Sequence, residues 1–110
     1  TYSQADATPW LAAAGSGDTL SGILGALLAT DRRGRDGEPP PPPGHYAALA
    51  AAAASIHGRA GTLAAAAGPV EPSALPAAVS TVIGRLNAPA SAAPGCPGVR
   101  AEGRVAKRAV

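Results

Sequence analysis

Ala14-Gly15-Ser16-Gly17-Asp18-Thr19-Leu20-Ser21-Gly22-Ile23-Leu24-Gly25-Ala26-Leu27-Leu28 opens as a flexible turn and continues as an amphipathic helix. Gly15 and Gly17 have access to backbone angles barred to other residues, so successive amides can point into one small space. The helix then begins with its first amide hydrogens unpaired, and the positive end of its dipole faces the same space. Such a turn is an anion site, and a phosphate fits it. Asp18 stands at its edge, where a carboxylate can take a proton from a reacting hydroxyl. The same four residues, Gly15 to Asp18, also fit a plain N-capping turn with Ser16 or Asp18 as the cap. Taken alone, they leave both readings open.

Outward from this stretch the chain reads as three helices. The first is expected over residues 18–29, where Leu20, Ile23, Leu24, Leu27 and Leu28 make one continuous apolar stripe. Gly22 and Gly25 each cost a helix interior about 1 kcal/mol against Ala. Close backbone approach to a neighbour is the expected return. Residues 31–44 read as a charged, Pro-rich linker ending in Pro39 to Pro43, a stiff run without donors for a ladder. A surface insertion between helices accounts for it, and a motif for a Pro-binding domain is the alternative.

The second helix is expected over residues 46–66, with Tyr46, Leu49, Ala53, Ile56, Ala60 and Leu63 as its seam. Most of that face is Ala, so neighbours can come close. His57 lies beside the seam and reads as a packed, hydrogen-bonded residue before a ligand or base. Arg59 reads as a solvated charge. Gly68 and Pro69 break the helix. Ser73 is the expected N-cap of the third helix, which carries Leu75, Val79, Val82 and Leu86 and ends near Asn87. Ahead of all three, Trp10 reads as a packing residue under the turn. Residues 88–110, rich in Pro, Gly and Arg, read as a disordered basic tail, and Cys96 within it is assigned no role. No stretch reads as a strand.

Composition sets the limits. Of 110 residues, 29 are Ala, while Leu, Ile and Val together make 18, so the core this chain can bury by itself is thin. The chain has no Met, which points to an internal cut or a processed end at Thr1. No apolar run reaches the length of a membrane span, no signal-peptide pattern opens the chain, and a cytoplasmic setting fits. A single Cys excludes an internal disulfide and a Cys-based metal cluster. The net charge is only +2 and aromatic residues are nearly absent, which argues against nucleic-acid binding.

Three segments carry a family resemblance. Thr8-Pro9-Trp10-Leu11-Ala12-Ala13-Ala14-Gly15-Ser16-Gly17-Asp18-Thr19-Leu20-Ser21-Gly22-Ile23-Leu24-Gly25-Ala26-Leu27-Leu28-Ala29 resembles the C-terminal signature of the NAD(P)H-hydrate dehydratases. His57-Gly58-Arg59-Ala60-Gly61 is similar to the family's His-Gly-x-Ala-Gly segment on the next helix. Pro69-Val70-Glu71-Pro72-Ser73-Ala74-Leu75-Pro76-Ala77-Ala78 is similar to the lead into its last helix. Gly-x-Gly-Asp by itself is shared by sugar, vitamin and coenzyme kinases of ribokinase-like fold. The Leu-Ser-Gly-Ile-Leu continuation and the two later segments narrow the match.

The resemblance covers about residues 8–87. It implies a ribokinase-like α/β parent domain, of which residues 1–87 would be a mostly helical C-terminal portion with a Pro-rich insertion over 31–44. The sheet, the substrate pocket and most nucleotide contacts would then precede Thr1. It implies repair of hydrated NADH and NADPH, in which the ring hydroxyl is phosphorylated from ADP or ATP and phosphate is then eliminated. Asp18 would be the catalytic base and contact the substrate hydroxyl. Gly15, Ser16 and Gly17 would hold the phosphoryl group through their amides, and Mg²⁺ would accompany the nucleotide. No protein ligand set for the metal is implied. The expected partners are small-molecule nucleotides, with no nucleic acid and no membrane. A homo-oligomer of the parent and a fused epimerase domain upstream are both allowed. The chain alone is expected to be inactive. The competing readings are a ribokinase-like kinase of a small alcohol and a non-enzymatic helical interaction module presenting its Pro-rich loop.

Overall fold

The computed structural model describes residues 1–5 and 7–89. Among these, α1 spans Ser16–Gly34, α2 spans His45–Ala64 and α3 spans Leu75–Leu86, and there is no strand. Short 3₁₀ turns at Pro9–Leu11, Ala65–Ala67 and Pro72–Ala74 complete the fold. The mostly helical character expected for this stretch is borne out. The tail expectation and Cys96 fall mainly on residues 90–110, outside the described residues.

α2 packs extensively against both α1 and α3, which touch each other only lightly. The three apolar stripes meet there. Ile23 of α1, Ala53, Ile56 and Ala60 of α2, and Ala78 and Val82 of α3 form the buried cluster. Leu20, Leu24, Leu27, Leu63 and Val79 close over it. Ala at three of the six buried positions lets the helices approach closely but adds little apolar area. The outer ends of the stripes run past the core: Leu28, Tyr46 and Leu86 are exposed.

α1 is longer at both ends than the expected 18–29. It starts at Ser16 because Gly15 turns the chain with a left-handed backbone. It runs on to Gly34 because Asp31, Arg32 and Arg33 are charged but do not break a helix. Arg32 and Arg33 sit in the last turn, where cations suit the dipole. The linker is therefore shorter than residues 31–44, and it is tied at both ends. His45 Nε2 and Asp31 Oδ1 are 2.9 Å apart. Arg35 Nη2 donates to the Pro39 carbonyl at 2.9 Å.

Three further expectations are corrected. Ser73 does not cap α3: it lies inside the 3₁₀ turn that Pro72 starts, and Ala74 occupies the cap without a side-chain bond. Trp10 is 49 % exposed and does not pack under the turn. The Pro9–Leu11 turn directs Leu11, not Trp10, onto α2. Gly22 and Gly25 mark no close approach, since a Cβ at either would meet nothing within 4 Å. The close approaches are on α2, at Gly58 and Gly61.

Candidate functional site

Gly15 has φ 90° and ψ −13°, a conformation that L side chains rarely adopt. It is the only residue of the turn that needs a glycine backbone. Gly17, read from the sequence as a second such position, has no positive φ because it already belongs to the first turn of α1. Its missing side chain leaves open space instead: a Cβ there would meet nothing within 4 Å. The Ser16 amide donates to the Ala13 carbonyl at 3.2 Å, and the Thr19 amide donates to Gly15 at 3.4 Å. Among the described residues, no acceptor faces the amides of Gly17 and Asp18. Those two donors lie at the positive end of the α1 dipole. Asp18 is exposed beside them in the first turn.

The turn is held from two sides. A Cβ at Gly15 would stand 3.4 Å from the Cβ of Pro72, so the segment leading into α3 forms one wall. On the other side the Ser16 hydroxyl meets His57 Nε2 of α2 at 3.4 Å. Ser16 is 6 % exposed and His57 9 %, the two buried polar side chains among the described residues. Burial without a partner would cost each of them free energy, and each is the other's partner. The reading of His57 as a packed, hydrogen-bonded residue is thus borne out. The Ser16 hydroxyl is turned inward, and its amide, expected to face a phosphoryl group, is taken up by the Ala13 carbonyl.

His57-Gly58-Arg59-Ala60-Gly61 accounts for this junction residue by residue. His57 meets the turn. Gly58 admits the lead-in segment, since a Cβ there would stand 2.6 Å from Gln4 Nε2 and 3.3 Å from Ala7 Cβ. Arg59 is exposed. Ala60 is fully buried against the core. Gly61 receives Leu11, whose side chain a Cβ would strike. Three segments far apart in the chain, around residues 15, 57 and 72, therefore converge on one turn. Sequence reasoning missed Pro72 as a wall and Leu11 as the docking residue. Its signal for the latter was present, because two glycines three apart on an Ala-rich helix invite a neighbour.

Among the described residues no group of three or more His, Cys, Asp or Glu could hold a metal ion. The donor set at the turn is one carboxylate. That fits Mg²⁺ arriving with a nucleotide, because this ion is commonly bound by one or two carboxylates together with substrate phosphates and water. No helix among the described residues is long and apolar enough to cross a membrane.

Neither the curated proteins nor the solved structures contain a match to this chain. A family model described as NAD(P)H-hydrate dehydratase matches residues 1–84, which take in the turn, the His57 segment and the lead into α3. With more than half its length so matched, and with the three segments of resemblance meeting at one turn, the chain belongs to the NAD(P)H-hydrate dehydratase family.

Proposed function

We propose that this chain is the C-terminal portion of a ribokinase-like domain that dehydrates the (S) hydrates of NADH and NADPH at the expense of ADP or ATP. Residues 1–87 would belong to that domain, with the Pro-rich insertion over 31–44 and a tail after it. One observation carries the reading. Asp18 lies exposed in the first turn of α1, beside two unpaired amides, on a turn braced by α2 and by the lead into α3.

Hydroxide is a poor leaving group, so the ring hydroxyl must first be made a phosphate ester. Asp18 accepts the hydroxyl proton as the oxygen attacks the terminal phosphorus of the nucleotide. The bond from that phosphorus to its bridging oxygen breaks, and the shortened nucleotide leaves. The Gly17 and Asp18 amides and the helix terminus stabilise charge on the transferring phosphoryl oxygens, and Gly15 and Ser16 form the turn that holds them. The ring nitrogen lone pair then expels phosphate. Loss of a proton from the adjacent ring carbon restores the dihydronicotinamide. Mg²⁺ arriving with the nucleotide would find Asp18 as the one carboxylate at this turn and would supply charge neutralisation.

The test is product identity. The enzyme that contains this chain is given hydrated NADH, and in parallel a panel of small alcohols, each with ADP or ATP. The expected products are NADH, inorganic phosphate and the shortened nucleotide in equal amounts. A stable phosphate ester of a small alcohol, with hydrated NADH untouched, would make the site that of a kinase instead.

A further inference from the structure

We propose that His57 is a positioning residue for the phosphate turn: through Ser16 it sets the direction of the Gly17 and Asp18 amides. This rests on the dehydratase reading above and adds a residue to its machinery.

Ser16 sits between two glycines. Gly15 before it has a left-handed backbone and no side chain, and Gly17 after it has no side chain to brace. Ser16 therefore carries the one side chain by which the glycine turn is fastened to α2. Among the described residues its one side-chain hydrogen bond is to His57 Nε2, 41 residues away. The imidazole is buried, on a packed stretch of α2. Its chain neighbour Ile56 and the residue three further on, Ala60, are both in the buried core, and Gln4 and Ala7 lie across Gly58. A neutral imidazole offers one donor and one acceptor nitrogen, and a hydroxyl can play either part, so the bond forms in either tautomer. Without His57 the Ser16 hydroxyl is buried with no partner. It regains one by tilting the turn outward to water, which swings the two free amides with it. Amides that must meet moving phosphoryl charge work only when they are aimed beforehand.

The experiment measures separate Michaelis constants for nucleotide and for hydrated NADH in the enzyme containing this chain. The variants are His57→Ala, His57→Gln, Ser16→Ala and the double variant of Ser16→Ala with His57→Ala. Loss of one buried hydrogen bond should raise the nucleotide KM about five- to tenfold in either alanine variant. The KM for hydrated NADH should change by less than that of the nucleotide, since of this turn only the Asp18 carboxylate would reach its ring hydroxyl. The double variant should be no worse than the worse single one, because both remove the same bond. His57→Gln, whose amide can reach the hydroxyl, should recover most of the loss. A merely structural His57 would lower the melting temperature, leave the nucleotide KM of folded enzyme unchanged, and add its effect to that of Ser16→Ala. Ser16→Ala leaves α2 intact and decides the matter if His57→Ala does not fold. Asp18→Asn is run alongside. If it abolishes turnover while Ser16→Ala and His57→Ala leave the nucleotide KM unchanged, the positioning role is refuted and the dehydratase site stands. If Asp18→Asn is fully active, the site reading itself falls.

Discussion

Gly15 and Gly17 are two residues apart and serve the turn in different ways. At Gly15 the backbone is left-handed and Pro72 is close. Gly15→Ala should therefore cost about 1–2 kcal/mol of stability, read as a lower urea midpoint. At Gly17 the backbone is helical and the space is empty. Gly17→Ala should leave stability unchanged or raise it by up to about 1 kcal/mol. On the proposed function it should nevertheless lower kcat/KM, because the methyl group would stand where phosphoryl oxygens are proposed to approach the free amides. A Gly17→Ala enzyme with full activity would remove the phosphate from this turn. The place of Asp18 in the first turn of α1 was readable from its position three residues after Gly15 and ahead of an apolar stripe. The inward turn of Ser16 was not, because a hydroxyl at a helix start faces solvent or a neighbour according to where the neighbour lies, and α2 is distant in sequence.

At the scale of elements, α2 is the frame on which the turn, the lead-in segment and α3 are mounted. Its central seam of Ala53, Ile56 and Ala60 was legible as spacing of three and four. The turn at Gly68 was legible from its breakers. What escaped the sequence were features set by contacts across the fold. α1 continues through Asp31-Arg32-Arg33, which composition alone assigns to a linker. The Asp31–His45 bond, which closes the Pro-rich loop, joins residues that no local pattern pairs. Trp10 was given a packing place on size, yet the 3₁₀ turn hands it to Leu11. The glycines of the two helices can be told apart by substitution. Gly61→Ala should cost about 1–3 kcal/mol, because Leu11 must move. Gly25→Ala on α1 meets nothing and should stabilise this chain by up to about 1 kcal/mol. Thermal melts of the two variants side by side check both signs.

For the whole molecule the limiting feature is the thin core. Between α1 and α3 runs an open apolar groove of about 530 Å³, with Ile23, Leu27, Val79 and Ile83 among its walls. Its exposure is what the light contact between α1 and α3 leaves behind. Residues 1–110 alone should therefore show marginal stability and negligible turnover of hydrated NADH. A sharp, cooperative melt together with turnover by the isolated chain would contradict the proposal that the substrate pocket lies elsewhere in a larger domain. The role proposed for Asp18 is narrower: it would take the proton while the turn holds the phosphoryl group. Its most direct test is the rate of NADH formation by Asp18→Asn in the enzyme containing this chain, with ADP affinity measured in parallel. The predicted result is a fall in turnover of about 10²–10⁴-fold with ADP binding changed by less than about threefold. Turnover equal to that of the unsubstituted enzyme would contradict it.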